Sequence, residues 1–136
     1  MRIEPLPQTR IAEAVELWHE AGLTRPWNDA GDDLRRALAG PASAVLAGLD
    51  AERLLATAMV GHDGHRGWVY YVAVRADARG RGHGRAIMRA CEDWLVARRI
   101  AKLNVMLRGD NGDARGFYAA LGYGTDDVVV LSRRLS

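Results

Sequence analysis

The chain has 136 residues, 49% of them hydrophobic and 26% charged, which excludes intrinsic disorder and suits one globular core. Its single cysteine, Cys91, excludes a disulfide framework and a cysteine-rich zinc site, and no apolar run approaches the ~20 residues of a membrane-spanning helix. The pI is 9.0 but the net charge is only +2, so the total excludes little; Lys102 is the one lysine among 19 basic residues, and the informative question is where the arginines cluster. The opening residues, MRIEPLPQTR, contain no apolar h-region, so a reducing cytoplasmic location is expected.

In chain order, residues 8–21 space Ile11, Val15, Leu17 and Trp18 as the apolar stripe of a helix, with Gly22 as its C-cap. Pro26 and Asn28-Asp29 break the pattern, and Asp29 suits the N-cap of a second helix over 30–38. Three strand-like runs follow at 43–49, 53–61 and 68–75, separated by Asp-Ala-Glu and by HDGHRG, which predicts an antiparallel meander. The run WVYYVAV is apolar on both faces, as a covered central strand is. A third helix is predicted from the stripe Ala86, Ile87, Ala90, Cys91, Trp94 and Leu95, with Arg98 and Arg99 in its last turn. KLNVMLR (102–108) reads as a strand, 111–121 as a short helix ended by Gly122, and 127–135 as a last strand. The predicted order is therefore α-α-β-β-β-α-β-α-β. The helix between WVYYVAV and KLNVMLR makes those two strands a parallel pair.

The segment Arg79-Gly80-Arg81-Gly82-His83-Gly84-Arg85 carries the chemistry. It joins a buried strand to a helix, where unpaired N–H groups and the helix dipole favour phosphate. Glycines at three alternate positions let a ligand approach the backbone, and three arginines add charge. A P-loop is excluded, because it ends in Gly-Lys-Ser/Thr and the segment has no lysine. The dinucleotide fingerprint is excluded too, because its third glycine would fall at Arg85.

The string R-G-R-G-H-G resembles the (Gln/Arg)-x-x-Gly-x-(Gly/Ala) signature of the GNAT superfamily of N-acetyltransferases, matched here by Arg79, Gly82 and Gly84. The block Asn111, Ala114, Phe117, Tyr118, Leu121, Gly122 and Tyr123 is similar to the family's second block. The strings RPWND and DGHRG resemble a small bacterial branch of it. The resemblance implies an α/β (α+β) fold over residues 1–136 as a single domain. Its mixed, mostly antiparallel central sheet would be flanked by helices and splayed between the strands at 68–75 and 102–108. It also implies an acyltransferase that moves an acetyl group from acetyl-CoA to a primary amine by direct attack.

Under that resemblance, Arg79, Gly80, Arg81, Gly82, His83, Gly84 and Arg85 bind the diphosphate of CoA. The backbone of Val72, Ala73 and Val74 binds the pantetheine arm and polarises the thioester carbonyl. Asn111 hydrogen-bonds the cofactor or caps its helix, and Tyr118 protonates the departing thiolate. Phe117 is expected to fill the core and leave Tyr118 facing the site. Trp27, Asn28, Asp29, Tyr70 and Tyr71 are expected on the acceptor side; for RPWND a helix-capping turn is the competing reading. Many protein-acetylating members place a glutamate where this chain has Met106, so the base role is unassigned, with Tyr70, Tyr71, Asp29, Asp63, His62 and His65 as candidates. No metal is expected: His62 and His65 lack a third ligand nearby. Cys91, on an apolar stripe, reads as packing.

The resemblance implies an amine acceptor, small or peptidic, as partner and makes a homodimer one of the possible states; neither nucleic acid nor membrane is expected. The alternative function is a non-catalytic CoA-binding or regulatory module on the same fold, for which the missing glutamate argues.

Overall fold

Residues 1–136 are all described in the computed structural model of the protein. They form two units, 1–105 and 106–136. The first contains β1 (Arg2–Pro5), α1 (Ile11–Glu20), α2 (Ala30–Ala39), β2 (Ser43–Asp50), β3 (Arg53–His62), β4 (Gly67–Val74), α3 (His83–Val96) and β5 (Leu103–Val105). The second contains one helix, α4 (Gly112–Ala120). Short 3-10 turns occupy Gln8–Arg10 and Ala76–Ala78.

The five strands of the first unit form one sheet in the order β1-β2-β3-β4-β5. The first three pairings are antiparallel and β4–β5 is parallel, as the helical crossover requires. Alternation along β2 sorts its side chains between two layers. Val45, Ala47 and Leu49 join Ala14, Leu17 and Trp18 of α1 and Leu34 and Ala37 of α2 in the main core. Helix α3 packs against β2, β3 and β4 through Ile87, Met88, Cys91 and Leu95, all buried.

Local chemistry explains the turns. Ala51 and Glu52 join β2 to β3 with φ of 47° and 71°. This left-handed pair matches the twist of a tight hairpin. Arg2 and Arg10 hold the Glu52 carboxylate at 3.0 and 3.2 Å. In the β3–β4 turn, the Asp63 carboxylate accepts the N–H groups of Arg66 and His65, both at 2.8 Å. These bonds hold its pKa below the ordinary carboxylate value. At the end of α1, the N–H of Leu23 bonds to the carbonyl of Trp18 and that of Gly22 to His19, with Gly22 left-handed as the sequence predicts. Helix α3 ends in the same motif, but the left-handed position is occupied by Arg99 at φ 62°.

Five expectations are corrected. Strand β1 is not among the predicted elements; four residues, three of them charged or proline, give too little alternation to signal a strand. The strand expected at 127–135 does not form: those residues lie outside any strand and are exposed. An apolar run can pair, but a strand exists only where another strand meets its backbone groups. Strand β5 spans three residues instead of seven, which leaves Met106 outside it and exposed. Strand β4 is less covered than its composition suggests, with Tyr70 exposed. Helix α3 stops at Val96, so Arg98 and Arg99 follow it instead of forming its last turn. Arg98 turns back over the ring of Trp94, 3.7 Å from its centroid.

Candidate functional site

The site begins where β4 leaves the sheet. Strand β5 pairs with β4 only from Gly67 to Val69, against Leu103 to Val105. From Tyr70 to Val74, no strand lies on that side of β4, although β3 still pairs on the other. The outward backbone groups of Tyr70–Val74 are thus an open edge inside the sheet, where the sequence reading placed a splay.

The same stretch contains a bulge. Ala73 of β4 faces Thr57 and Tyr70 faces Met59, so three steps on β4 oppose two on β3. Tyr71 absorbs the extra residue at φ 52°, a left-handed conformation that an aromatic residue rarely adopts. Its ring stacks on Trp18, with centroids 4.0 Å apart and planes 9° from parallel. Its hydroxyl donates to Oδ2 of Asp33 at 2.7 Å. Burial, and next the Asp33 carboxylate, push this phenol far above its ordinary pKa. Thr57, the one fully buried polar residue, accepts from the Trp18 indole N–H at 2.7 Å and donates to the Tyr71 carbonyl at 3.1 Å. Tyr71 is therefore a poor proton acceptor. Partial burial also raises the pKa of Tyr70.

Beyond β4 the chain makes one 3-10 turn and enters the glycine segment. Gly80 and Gly82 both have positive φ, 78° and 83°, and Gly82 is the N-cap of α3. A Cβ at either position would meet no atom within 4 Å, so neither glycine is demanded by packing within the protein. Their conformation turns the backbone into the start of α3. The helix has no side-chain cap and no acidic residue in its first turn. Arg79, Arg81 and Arg85 are exposed around it. Unpaired N–H groups at a helix start, open space over the glycines and surrounding positive charge together suit a diphosphate.

A separate concavity of about 840 Å³ lies along α1 and the loop to α2. Its lining includes Glu16 and His19 of α1 together with Trp27, Asn28 and Asp29. The structure thus gathers three of the residues expected on the acceptor side, while Tyr70 and Tyr71 lie on β4 and do not line it. Asp29 caps α2, its Oδ1 accepting the N–H of Asp32 at 3.0 Å; Trp27 is 54% exposed.

In the second unit, Asn111 caps α4 by accepting the Ala114 N–H at 3.1 Å. The aromatics of α4 are reversed from expectation: Tyr118 is buried and Phe117 is half-buried. Helical phase decides this, because Tyr118 turns its ring between Phe117 and Tyr123, with centroids 4.9 and 5.6 Å away. Of the other candidates, His62 accepts the Gly64 N–H within the β3–β4 turn, which Asp63 also organises. No group of three His, Cys, Asp or Glu side chains is placed to hold a metal ion. Cys91 is buried, and burial pushes its thiol up to about 12.

Sequence reasoning did not single out Thr57 or Asp33. A threonine in an apolar strand and an aspartate in a helix's first turn are ordinary in sequence. The one signal available was Thr57 as the only hydrogen-bonding side chain in LLATAMV.

Comparison with known proteins agrees with this fold. The sequence model described as the acetyltransferase (GNAT) family matches residues 12–123. The chain is 38% identical over 135 residues to a protein named acetyltransferase YE1169 from Yersinia enterocolitica, covering 99% of this chain and 96% of that one. Among solved structures, a putative acetyltransferase from Agrobacterium tumefaciens superposes with a TM-score of 0.83 at 17% identity, covering 98% of this chain and all of that one. The aminoglycoside N-acetyltransferase AAC(6')-Iy, solved with a bisubstrate analogue, CoA-S-monomethyl-acetylneamine, has a TM-score of 0.82 at 15% identity, covering 99% of this chain and 98% of that one.

Proposed function

Because the chain belongs to the acetyltransferase (GNAT) family, we propose that it transfers an acetyl group from acetyl-CoA to a primary amine by direct attack, without a covalent enzyme intermediate. The observation that carries this reading is the glycine segment: two left-handed glycines opening α3 beneath Arg79, Arg81 and Arg85. We assign residues 1–136 to one acyltransferase domain, a reading supported by the family match over 12–123.

The N–H groups and side chains of Arg79, Gly80, Arg81, Gly82, His83, Gly84 and Arg85 hold the diphosphate. Acetyl-CoA supplies the activated thioester. The open edge of Val72, Ala73 and Val74 offers backbone N–H groups to the thioester oxygen, where negative charge develops as the amine attacks. The new C–N bond forms, the C–S bond breaks, and Tyr118 gives its phenolic proton to the departing thiolate; the amine's proton passes to water. A phenol carries a proton that it can donate. Asn111 adds a hydrogen bond to the cofactor through the part of its amide not used in capping α4.

On the acceptor side, Trp27 offers an apolar wall, and Asn28 and Asp29 offer polar groups from the concavity along α1. Tyr70 and Tyr71 contribute from β4, Tyr71 by its ring and backbone because Asp33 holds its hydroxyl. We assign no residue to the base role.

Thiol release from acetyl-CoA, measured against a panel of amines that includes neamine and an alanine-terminated peptide, tests the reading. Acetylation of at least one amine is the expected outcome; acetyl-CoA binding with no turnover across the panel would favour the CoA-binding module instead. Tyr118→Phe should lower kcat about 100-fold, the scale of a lost general acid, with the KM for acetyl-CoA within about twofold. An unchanged kcat removes Tyr118 from that role.

A further inference from the structure

We propose that Trp18, Thr57, Tyr71 and Asp33 form a buttress that sets the direction of the β4 backbone at the open edge, and that they are positioning residues for acyl transfer. The inference rests on the function proposed above.

The argument starts from strain. A tyrosine at φ 52° in the middle of a strand is held against its own preference, and such a conformation persists only where its surroundings fix it on several sides. Here they fix it on three. Its ring lies flat on Trp18, its hydroxyl donates to Asp33, and its carbonyl accepts from Thr57. Thr57 is in turn fixed by the indole N–H of Trp18. The chain of contacts ties α1, α2 and β3 to a single bulged residue of β4.

That residue directly precedes Val72, Ala73 and Val74. The peptide plane between Tyr71 and Val72 holds both the Tyr71 carbonyl and the Val72 N–H. A hydrogen bond that fixes the carbonyl therefore also fixes the direction of that N–H. In a regular strand, hydrogen bonds to both neighbours orient each peptide. At the open edge one neighbour is missing, the bulge takes Tyr71 and Val72 out of register with the other, and the Thr57 hydroxyl holds the peptide in place of the ladder. A donor that must meet charge only in the transition state acts through its direction, so loss of the buttress appears in kcat and leaves ground-state binding largely intact.

Two substitutions separate positioning from stability. Thr57→Val keeps shape and removes both hydrogen bonds; Thr57→Ser keeps both bonds and loses a buried methyl group. Both should lower Tm. Thr57→Val should lower kcat about tenfold, a fraction of the loss from removing an oxyanion donor outright, with the KM for acetyl-CoA within about twofold. Thr57→Ser should recover most of that kcat despite its own loss of stability. Tyr71→Phe, which keeps the stack and loses Asp33, should fall between them.

Backbone 15N relaxation by NMR supplies a readout independent of turnover. The order parameter of the Val72 N–H should fall below that of wild type in Thr57→Val and return to it in Thr57→Ser. The proposal is overturned if folded Thr57→Val keeps kcat within twofold of wild type, if serine fails to rescue it, or if the loss lies in KM alone. Should the wild-type protein acetylate no amine, the proposed function fails, and equal Val72 order parameters in the two variants would then overturn the buttress on its own.

Discussion

Replacing single glycines by alanine separates backbone conformation from ligand approach. Gly82 caps α3 at φ 83°, and an added Cβ would meet nothing within 4 Å. The cost is then that of holding an L-residue in the left-handed region, about 1–2 kcal/mol, with no clash added. In a chain of this size about 1 kcal/mol moves Tm by about 3–5 °C, so Gly82→Ala should lower Tm by about 3–10 °C. Gly84 lies in the first turn of α3 and has no positive φ. Alanine there is the better helix former by about 0.5–1 kcal/mol, and Tm should hold or rise by a few degrees. Affinity for CoA should move differently, because a methyl at either position intrudes between backbone N–H groups and the diphosphate. Each variant should bind CoA at least about tenfold more weakly, about 1.4 kcal/mol. Thermal denaturation and calorimetric titration read the two effects separately. A Gly82→Ala protein as stable as wild type would contradict the left-handed cap. A more stable Gly84→Ala protein that binds CoA as well as wild type would refute close backbone approach at the α3 start.

Two further outcomes follow from the fold. Arg99→Gly relieves the left-handed residue after α3 and should stabilise the protein by about 1 kcal/mol, seen as a rise in Tm of a few degrees; a fall would mean that the Arg99 side chain outweighs its backbone. Burial raises the folded thiol pKa of Cys91 to about 12 from an ordinary value of 9.0. Its contribution to stability is therefore intact below about pH 9 and is lost as pH rises towards 12. Denaturation between pH 8 and 11 should show a smaller alkaline loss in Cys91→Ala than in wild type, and equal slopes would contradict the buried thiol.

Most of what positions the site was legible in the sequence because it is written locally. The meander, the parallel β4–β5 pair and the start of α3 follow from periodicity, turn residues and the glycine segment. Asp29 and Asn111 both cap helices, the structural half of each expectation. The failures have one physical cause: each depended on a partner that no local pattern specifies. The apolar run at 127–135 has strand composition but no strand beside it, and β1 has a strand beside it but little strand composition. Phe117 and Tyr118 differ by 100° on a helix, and which of them is buried depends on tertiary packing. The Trp18–Thr57–Tyr71–Asp33 chain joins residues up to 53 positions apart in sequence, out of reach of any spacing rule.

The most direct test of the central claim is calorimetric titration of the wild-type protein with acetyl-CoA, followed by the same titration of Gly82→Ala. Saturable binding at one site per chain is predicted, with a dissociation constant in the range of about 1 μM–1 mM usual for enzyme substrates, weakened at least about tenfold by the substitution. Wild-type protein that gives no binding heat at millimolar acetyl-CoA, or a folded Gly82→Ala that binds equally well, would contradict the assignment of the glycine segment to the cofactor.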